Sequence, residues 1–144
     1  MEAGMEKIQR FIDIKAGLQE VWELISSQEG MRQWISTDME IDARVGGKYR
    51  VKNPEENQMI CGEVLEILPM ESISLSWFEL GSDWMNPTKV TFRLEEIANG
   101  IRVHVTHTGF ERIRKRGWEK TYNEYQKGWT RHHLLENLKA RAEA

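Results

Sequence analysis

Between residues 38 and 109 the apolar side chains fall at every second position in segment after segment, and this pattern restricts the fold more than any other feature of the sequence. Turn signals at Gly46-Gly47, Asn53-Pro54, Pro69-Met70, residues 81–87 and Asn99-Gly100 divide the stretch into six segments. The clearest are residues 72–77, 89–94 and 101–107, where apolar and polar residues alternate and His107 alone takes an apolar place. Such alternation describes an antiparallel sheet with one buried and one wet face, and connections this short suit a meander of hairpins. On this reading Ser72, Ser74 and Ser76 face solvent, opposite Leu75 and Trp77. The apolar face needs a cover, and residues 118–141, free of proline and rich in helix formers, provide the one long helical segment.

The remaining elements are shorter. Ile8, Ile12 and Ile14 alternate as a first strand, with Arg10 as the exception. Leu18, Val21, Trp22 and Ile25 then follow helical spacing, and Ser26 with Glu29 has the capping-box spacing that opens a second short helix ending near Trp34-Ile35. In the C-terminal helix, Trp118, Tyr125, Gly128, His132 and Leu135 share one arc, bordered by Trp129 and Leu138. The aromatic and leucine arcs do not coincide, so the sequence implies either a wide face or a bend near Gly128; a wide face is expected. The class is α+β: a curved antiparallel sheet wrapped around a long C-terminal helix, with two short helices between strands 1 and 2.

No repeat, low-complexity run or linker interrupts the 144 residues, so one domain spanning residues 1–144 is expected. The opening Met1-Glu2-Ala3-Gly4-Met5-Glu6-Lys7 lacks the apolar core of a signal peptide, and no stretch approaches the length of a membrane span, so a cytoplasmic location is expected. Net charge is −3, but residues 110–144 carry 9 basic against 5 acidic groups. That local excess, densest at residues 112–116, suits a solvated loop or contact with an acidic surface or anionic ligand group; the acidic whole argues against nucleic-acid binding. Cys61 is the single cysteine, which rules out an internal disulfide and a cysteine-rich metal site.

Several local motifs, in this order and spacing, are similar to those of one known family. They are Val21-Trp22, Trp34, Gly46-Gly47-Lys48-Tyr49, residues 62–69 (GEVLEILP), Leu75-Ser76-Trp77, residues 106–110 (THTGF) and Gly128-Trp129. Together they resemble the activator of heat-shock-protein-90 ATPase homologue-like (AHSA-like) family of the START-like (SRPBCC) superfamily, from about Ile8 to Leu138. The resemblance implies a helix-grip fold, a hydrophobic ligand space between sheet and helix, or a chaperone partner. Two departures stand out. The family often has a proline where this chain reads Ala16-Gly17-Leu18, and it places leucines four and seven residues after the final Gly-Trp, where this chain has His133 and Glu136.

The inward aromatic set comprises Trp34, Tyr49, Trp77, Phe92, Trp118, Tyr125 and Trp129. These rings either fill the core or line a pocket. A void costs about 24 cal/mol per Å³, so a dry cavity of about 300 Å³ would cost roughly 7 kcal/mol. A modest pocket is therefore expected, widened by movement of the loop at Ser82-Asp83-Trp84-Met85. His107 shares parity with Ile101, Val103 and Val105, so it points inward, either orienting a ligand or completing a hydrogen-bonded core. His104 falls on the opposite face, and His132 and His133 diverge by about 100°, so no metal site is expected. No nucleotide fingerprint, serine elbow or paired carboxylates commit the chain to a reaction, and no cofactor is implied. The expectation is a module binding a small hydrophobic or aromatic molecule, lipid or polyketide-like, at Trp34, Tyr49, Trp77, Phe92, His107, Trp118, Tyr125 and Trp129. The alternatives are a co-chaperone-like domain acting on a chaperone ATPase, and a pocket enzyme of cyclase or hydrolase type using His107 or a tyrosine.

Overall fold

The computed structural model describes residues 7–53 and 58–144, and in it seven strands form one antiparallel sheet. In chain order the elements are β1 (Ile8–Ile14), α1 (Leu18–Ser26), α2 (Gln28–Met31), β2 (Glu40–Ile41), β3 (Lys48–Asn53), β4 (Gln58–Leu68), β5 (Ser72–Glu79), β6 (Thr88–Ile97), β7 (Gly100–Thr108), α3 (Trp118–Arg131) and α4 (Leu134–Ala142). The sheet runs β1-β7-β6-β5-β4-β3-β2, so the six segments from residue 38 onward make a meander and β1 closes its far edge on β7. The turn expected at Asn53-Pro54 runs into residues 54–57; these, like residues 1–6, lie outside the described residues. No helix among the described residues is long and apolar enough to cross a membrane.

Alternation becomes burial on the inner face, where Ile73 and Leu75 of β5, Val90, Phe92 and Leu94 of β6, and Ile101, Val103 and Val105 of β7 are all buried. The outer face departs from expectation at the serines. Ser72, Ser74 and Ser76 are buried, not solvent-facing: in a central strand longer neighbours shield so short a side chain, and Ser74 Oγ shares a hydrogen bond of 2.9 Å with Thr91 Oγ1. Ser76 has a further use. Where the β4–β5 pairing passes from Cys61–Phe78 to Val64–Leu75, Glu63 N–H donates to Ser76 Oγ (2.9 Å), and the Ser76 carbonyl accepts from the Tyr49 hydroxyl (2.6 Å). Tyr49 thus reaches across β4 at Gly62, its register partner, where an added Cβ would stand 2.2 Å from the Ser76 carbonyl oxygen.

The two early helices form where the spacing placed them, with shifted details. Glu20 Oε1 accepts from Gly17 N–H at the start of α1, which buries Val21, Leu24 and Ile25, while Trp22 stays half-buried. The cap of α2 is Ser27, whose hydroxyl accepts from Gly30 N–H (3.0 Å), not Ser26, which donates back to the Trp22 carbonyl (2.6 Å).

The long C-terminal helical element covers the sheet as the helix-grip fold requires, but it is broken at His133, which adopts φ 55°. The break accounts for the two non-coincident arcs. One half, α3, delivers Tyr125 and Trp129 to one end of the sheet, and α4 delivers Leu135, Leu138 and Ala142 to the β1 and α1 side. His133 fills one of the two positions where the resemblance led to an expectation of leucine, and the backbone breaks at that position.

A left-handed conformation costs an L-residue roughly 1–2 kcal/mol. The His133–Glu136 contact, exposed and 4.0 Å long, offsets little of that. His133→Gly should leave stability unchanged or raise it by up to about 1 kcal/mol, and His133→Val should lower it by about 1 kcal/mol or more, measured by urea unfolding.

Candidate functional site

The inner face ends in polar residues that alternation alone treats as core. Trp77 pairs with Thr88, and Val90 with His107, so Trp77, Thr88 and His107 meet at one end of β5, β6 and β7. The chain then turns at Gly109 into a short helical turn, Phe110–Arg112, which lays the buried Phe110 ring 4.5 Å from His107. From above, α3 lowers Tyr125 and Trp129: the Tyr125 ring lies 5.2 Å from His107, and Trp129 lies 6.1 Å from His107 and 6.3 Å from both Trp77 and Phe92.

His107 is fully buried, and both its nitrogens are bonded. Trp129 Nε1–H, which can only donate, gives its hydrogen to His107 Nδ1 (3.1 Å). Nδ1 is therefore the bare nitrogen, Nε2 carries the hydrogen, and it donates to Thr88 Oγ1 (2.6 Å), which donates in turn to the Trp77 carbonyl (3.2 Å). Burial pushes the imidazole pKa down to about 3, so the ring is neutral. In this arrangement it positions Trp129 and has no nitrogen left for a proton relay. Tyr49 is likewise committed: burial holds its phenol far above the usual value and its hydroxyl sits on a backbone carbonyl.

A second polar chain runs beside the first. Trp77 Nε1–H donates to the Tyr125 hydroxyl (3.0 Å), which donates to Glu79 Oε2 (2.5 Å). Trp77, Glu79 and Tyr125 are each half-buried, so this chain lies nearer to water than His107. The loop of residues 81–87, expected to move, is instead fastened. Trp84 is buried against Phe78 and Tyr125, Met85 N–H donates to the Ile113 carbonyl (2.6 Å), and Arg114 grips the Asp83 carboxylate through both Nε and Nη2. The Arg114 guanidinium holds the Asp83 carboxyl below its ordinary range. Arg114 also donates to Thr121 Oγ1 on α3 (2.8 Å), so part of the basic run is occupied in ties between the loops and the helix.

Of the eight site residues expected from sequence, Trp77, Phe92, His107, Tyr125 and Trp129 form one cluster. Trp34 joins it through Phe92 at 5.6 Å, its own indole N–H donating to the Leu24 carbonyl. Tyr49 stands apart on β3, and Trp118 has Tyr122 as its ring neighbour, at 6.5 Å. The sequence reading missed Phe110, Trp84, Thr88 and Glu79. Parity could have found the last two, since Glu79 continues Ile73, Leu75 and Trp77, and Thr88 precedes Val90, Phe92 and Leu94. Two open depressions, of about 730 Å³ beside β2–β4 and about 430 Å³ between the α2 end and α4, do not include Trp77, His107, Tyr125 or Trp129 in their walls. Among the described residues no three metal-ligating side chains converge, and His104 pairs outward with Glu95 (2.8 Å).

The buried neutral imidazole gives stability a pH dependence of definite sign. Between about pH 3 and 6.5 the unfolded chain binds one more proton at His107 than the folded chain, so this contribution is complete above pH 6.5 and falls as pH drops. Urea unfolding should show a loss of about 2 kcal/mol from this group between pH 7 and 5, absent in His107→Gln. The His107 ring resonances of the folded wild type should not titrate between pH 8 and 4.5.

Solved structures share this architecture. The Aha1 dimer from Colwellia psychrerythraea matches with a TM-score of 0.76 at 19% identity, over 96% of this chain and 97% of that one. Protein BH1534 from Bacillus halodurans matches with 0.75 at 21% identity, over 99% and 100%. CalU16 from Micromonospora echinospora, in its crystal structure, matches with 0.68 at 22% identity, over 96% and 74%. At these identities the likeness is one of fold. Among curated proteins none matches. The sequence pattern of the family described as Activator of Hsp90 ATPase homolog 1-like protein, however, matches residues 15–143, and the chain belongs to that family.

Proposed function

We propose that this chain is a binding module for a small hydrophobic or aromatic molecule, held between the sheet and α3 where Trp77, Tyr125 and Glu79 meet. The observation that supports this reading is the half-buried Trp77–Tyr125 pair: two large rings joined by a hydrogen bond, backed by Trp84, Phe110 and Trp129, with a carboxyl at the polar end. Small-molecule sites combine apolar walls with a few placed polar groups in this way. In the absence of a ligand the rings touch one another, as the cost of an empty cavity requires.

Access falls to α3, because the loop of residues 81–87 is fastened. Of the 14 residues in α3 only Thr121 and Trp129 are buried. Its two ends are Gly117 (φ 81°) and His133 (φ 55°), left-handed positions where the chain changes direction. Tilting α3 outward uncovers Trp129, the inner sides of Tyr122 and Tyr125, and the Phe110 ring they cover, while the inner-face side chains of the sheet further along stay under α4.

Family membership also supports a co-chaperone-like role, in which the chain touches a chaperone ATPase. The two readings separate in one pair of measurements. Fatty acids, aromatic polyketides and flavonoid-like compounds are titrated against tryptophan fluorescence and melting temperature, and ATP turnover of an Hsp90-class chaperone is measured with and without the protein. The binding reading expects saturable change with at least one compound class, weakened tenfold or more by Trp77→Ala, and unaltered ATP turnover. Silence across the compounds together with altered turnover would replace it with the co-chaperone reading.

A further inference from the structure

We propose that the Tyr125 hydroxyl stands in the place of a ligand hydroxyl, and that the molecule taken by this site is a phenol or another aromatic alcohol. This rests on the binding reading above and goes further by fixing the chemistry of the ligand's polar end.

The argument follows the direction of the hydrogen bonds. Indole N–H is a donor only, so Trp77 forces the Tyr125 oxygen to accept, and the single phenolic hydrogen is then spent on Glu79. The group between Trp77 and Glu79 must accept one bond and donate one. Trp77 and Glu79 sit two residues apart on the same face of β5, roughly 7 Å along the strand, and both belong to the sheet. Tyr125 belongs to α3. When α3 withdraws, a donor and an acceptor remain on the sheet at a spacing already shown to suit one hydroxyl.

A ligand hydroxyl restores both bonds. A ketone or ether can accept from Trp77 but gives nothing to Glu79, and a carboxylate brings its charge against the Glu79 carboxyl. The walls call for a flat ring behind that hydroxyl. Around the Tyr125 ring lie His107 at 5.2 Å, Phe110 at 5.5 Å, Trp84 at 6.1 Å and Trp77 at 6.3 Å. His107 adds no competing donor: Thr88 holds its Nε2–H, and Nδ1, which Trp129 covers while α3 is seated, only accepts.

The test uses the full chain and three probes of one ring size: 2-naphthol, naphthalene and 2-naphthoate. Calorimetry gives affinity, and the indole N–H resonance of Trp77 reports its bond. The expected result is that 2-naphthol binds about ten- to hundredfold tighter than naphthalene and shifts the Trp77 resonance, with 2-naphthoate weakest. Glu79→Gln should shrink the naphthol advantage and improve naphthoate. Tyr125→Phe, which keeps the ring and removes the internal competitor, should bind 2-naphthol more tightly than the wild type does; this arm decides if Glu79→Gln does not fold. Equal affinity for naphthol and naphthalene would overturn the hydroxyl assignment and leave the binding reading standing. No saturable binding of any probe, with the Trp77 resonance unmoved, would overturn both.

Discussion

The bond from Trp129 Nε1–H to His107 Nδ1 fixes more of this structure than its length of 3.1 Å conveys. It crosses from helix to sheet inside the core, where an unmatched donor or acceptor costs about 1–3 kcal/mol and water cannot substitute. By claiming Nδ1 it sets the tautomer, which directs Nε2–H to Thr88, which in turn directs the Thr88 hydroxyl to the Trp77 carbonyl. Three strands and one helix are thereby held in one register at the end where the candidate site lies. The neutrality of the ring follows from the same geometry, since a charged imidazole would have to donate from Nδ1 to a partner that itself only donates.

The break at His133 gives the C-terminal helical element two separate functions. A continuous helix would have to present its aromatic arc and its leucine arc to one flat surface, although they point in different directions. Two shorter helices each take the orientation their own apolar residues require. Consequently α4 seats Leu138 with no exposed surface and Leu135 nearly so, while α3 binds the sheet through Trp129, Tyr125 and a set of side-chain bonds from its rim.

The fold was legible because its main signal is collective. Alternation over six segments survives individual exceptions, and a single long helical segment left one way to cover the sheet. The site was half legible for the same reason. Parity put Trp77, Phe92 and His107 on the inner face, and aromatic spacing put Tyr125 and Trp129 on the helix. Trp118 and Tyr49 could not be separated from them, because residue type and parity are silent on which end of a curved sheet a ring occupies. The break at His133 was equally hidden: histidine has no strong helix-breaking propensity, the mismatch between two arcs suggested a bend only near Gly128 and was read as a wide face, and the histidine standing where leucine was expected did not show what form the change would take. Trp84 lay beyond pattern altogether. A loop has no period, and what buries Trp84 is the tie from Met85 to Ile113 and the Arg114–Asp83 pair, contacts between segments about thirty residues apart.

These two halves differ in what it costs to move them. Bonds along the rim of α3 among the described residues include Arg10 to the Gln126 carbonyl and to Thr130, Arg114 to Thr121, and Tyr122 to the Lys7 carbonyl. They lie at exposed or partly exposed positions, where exchange with water changes free energy little, so the main cost of lifting α3 is the buried Trp129 and its bond to His107. Withdrawing α4 would instead bring Leu135, Leu138 and Ala142 into water together, several kcal/mol of apolar surface. Local opening follows the lower of these two costs, so α3 can lift while α4 keeps the sheet covered. The same inequality favours the candidate site beneath α3. A pocket beneath α4 would have to unseat the hydrophobic core in order to fill. Beneath α3, a ligand would displace a tyrosine hydroxyl and one tryptophan; the Trp129–His107 bond would be lost, while the His107–Thr88 and Thr88–Trp77 bonds within the sheet would persist.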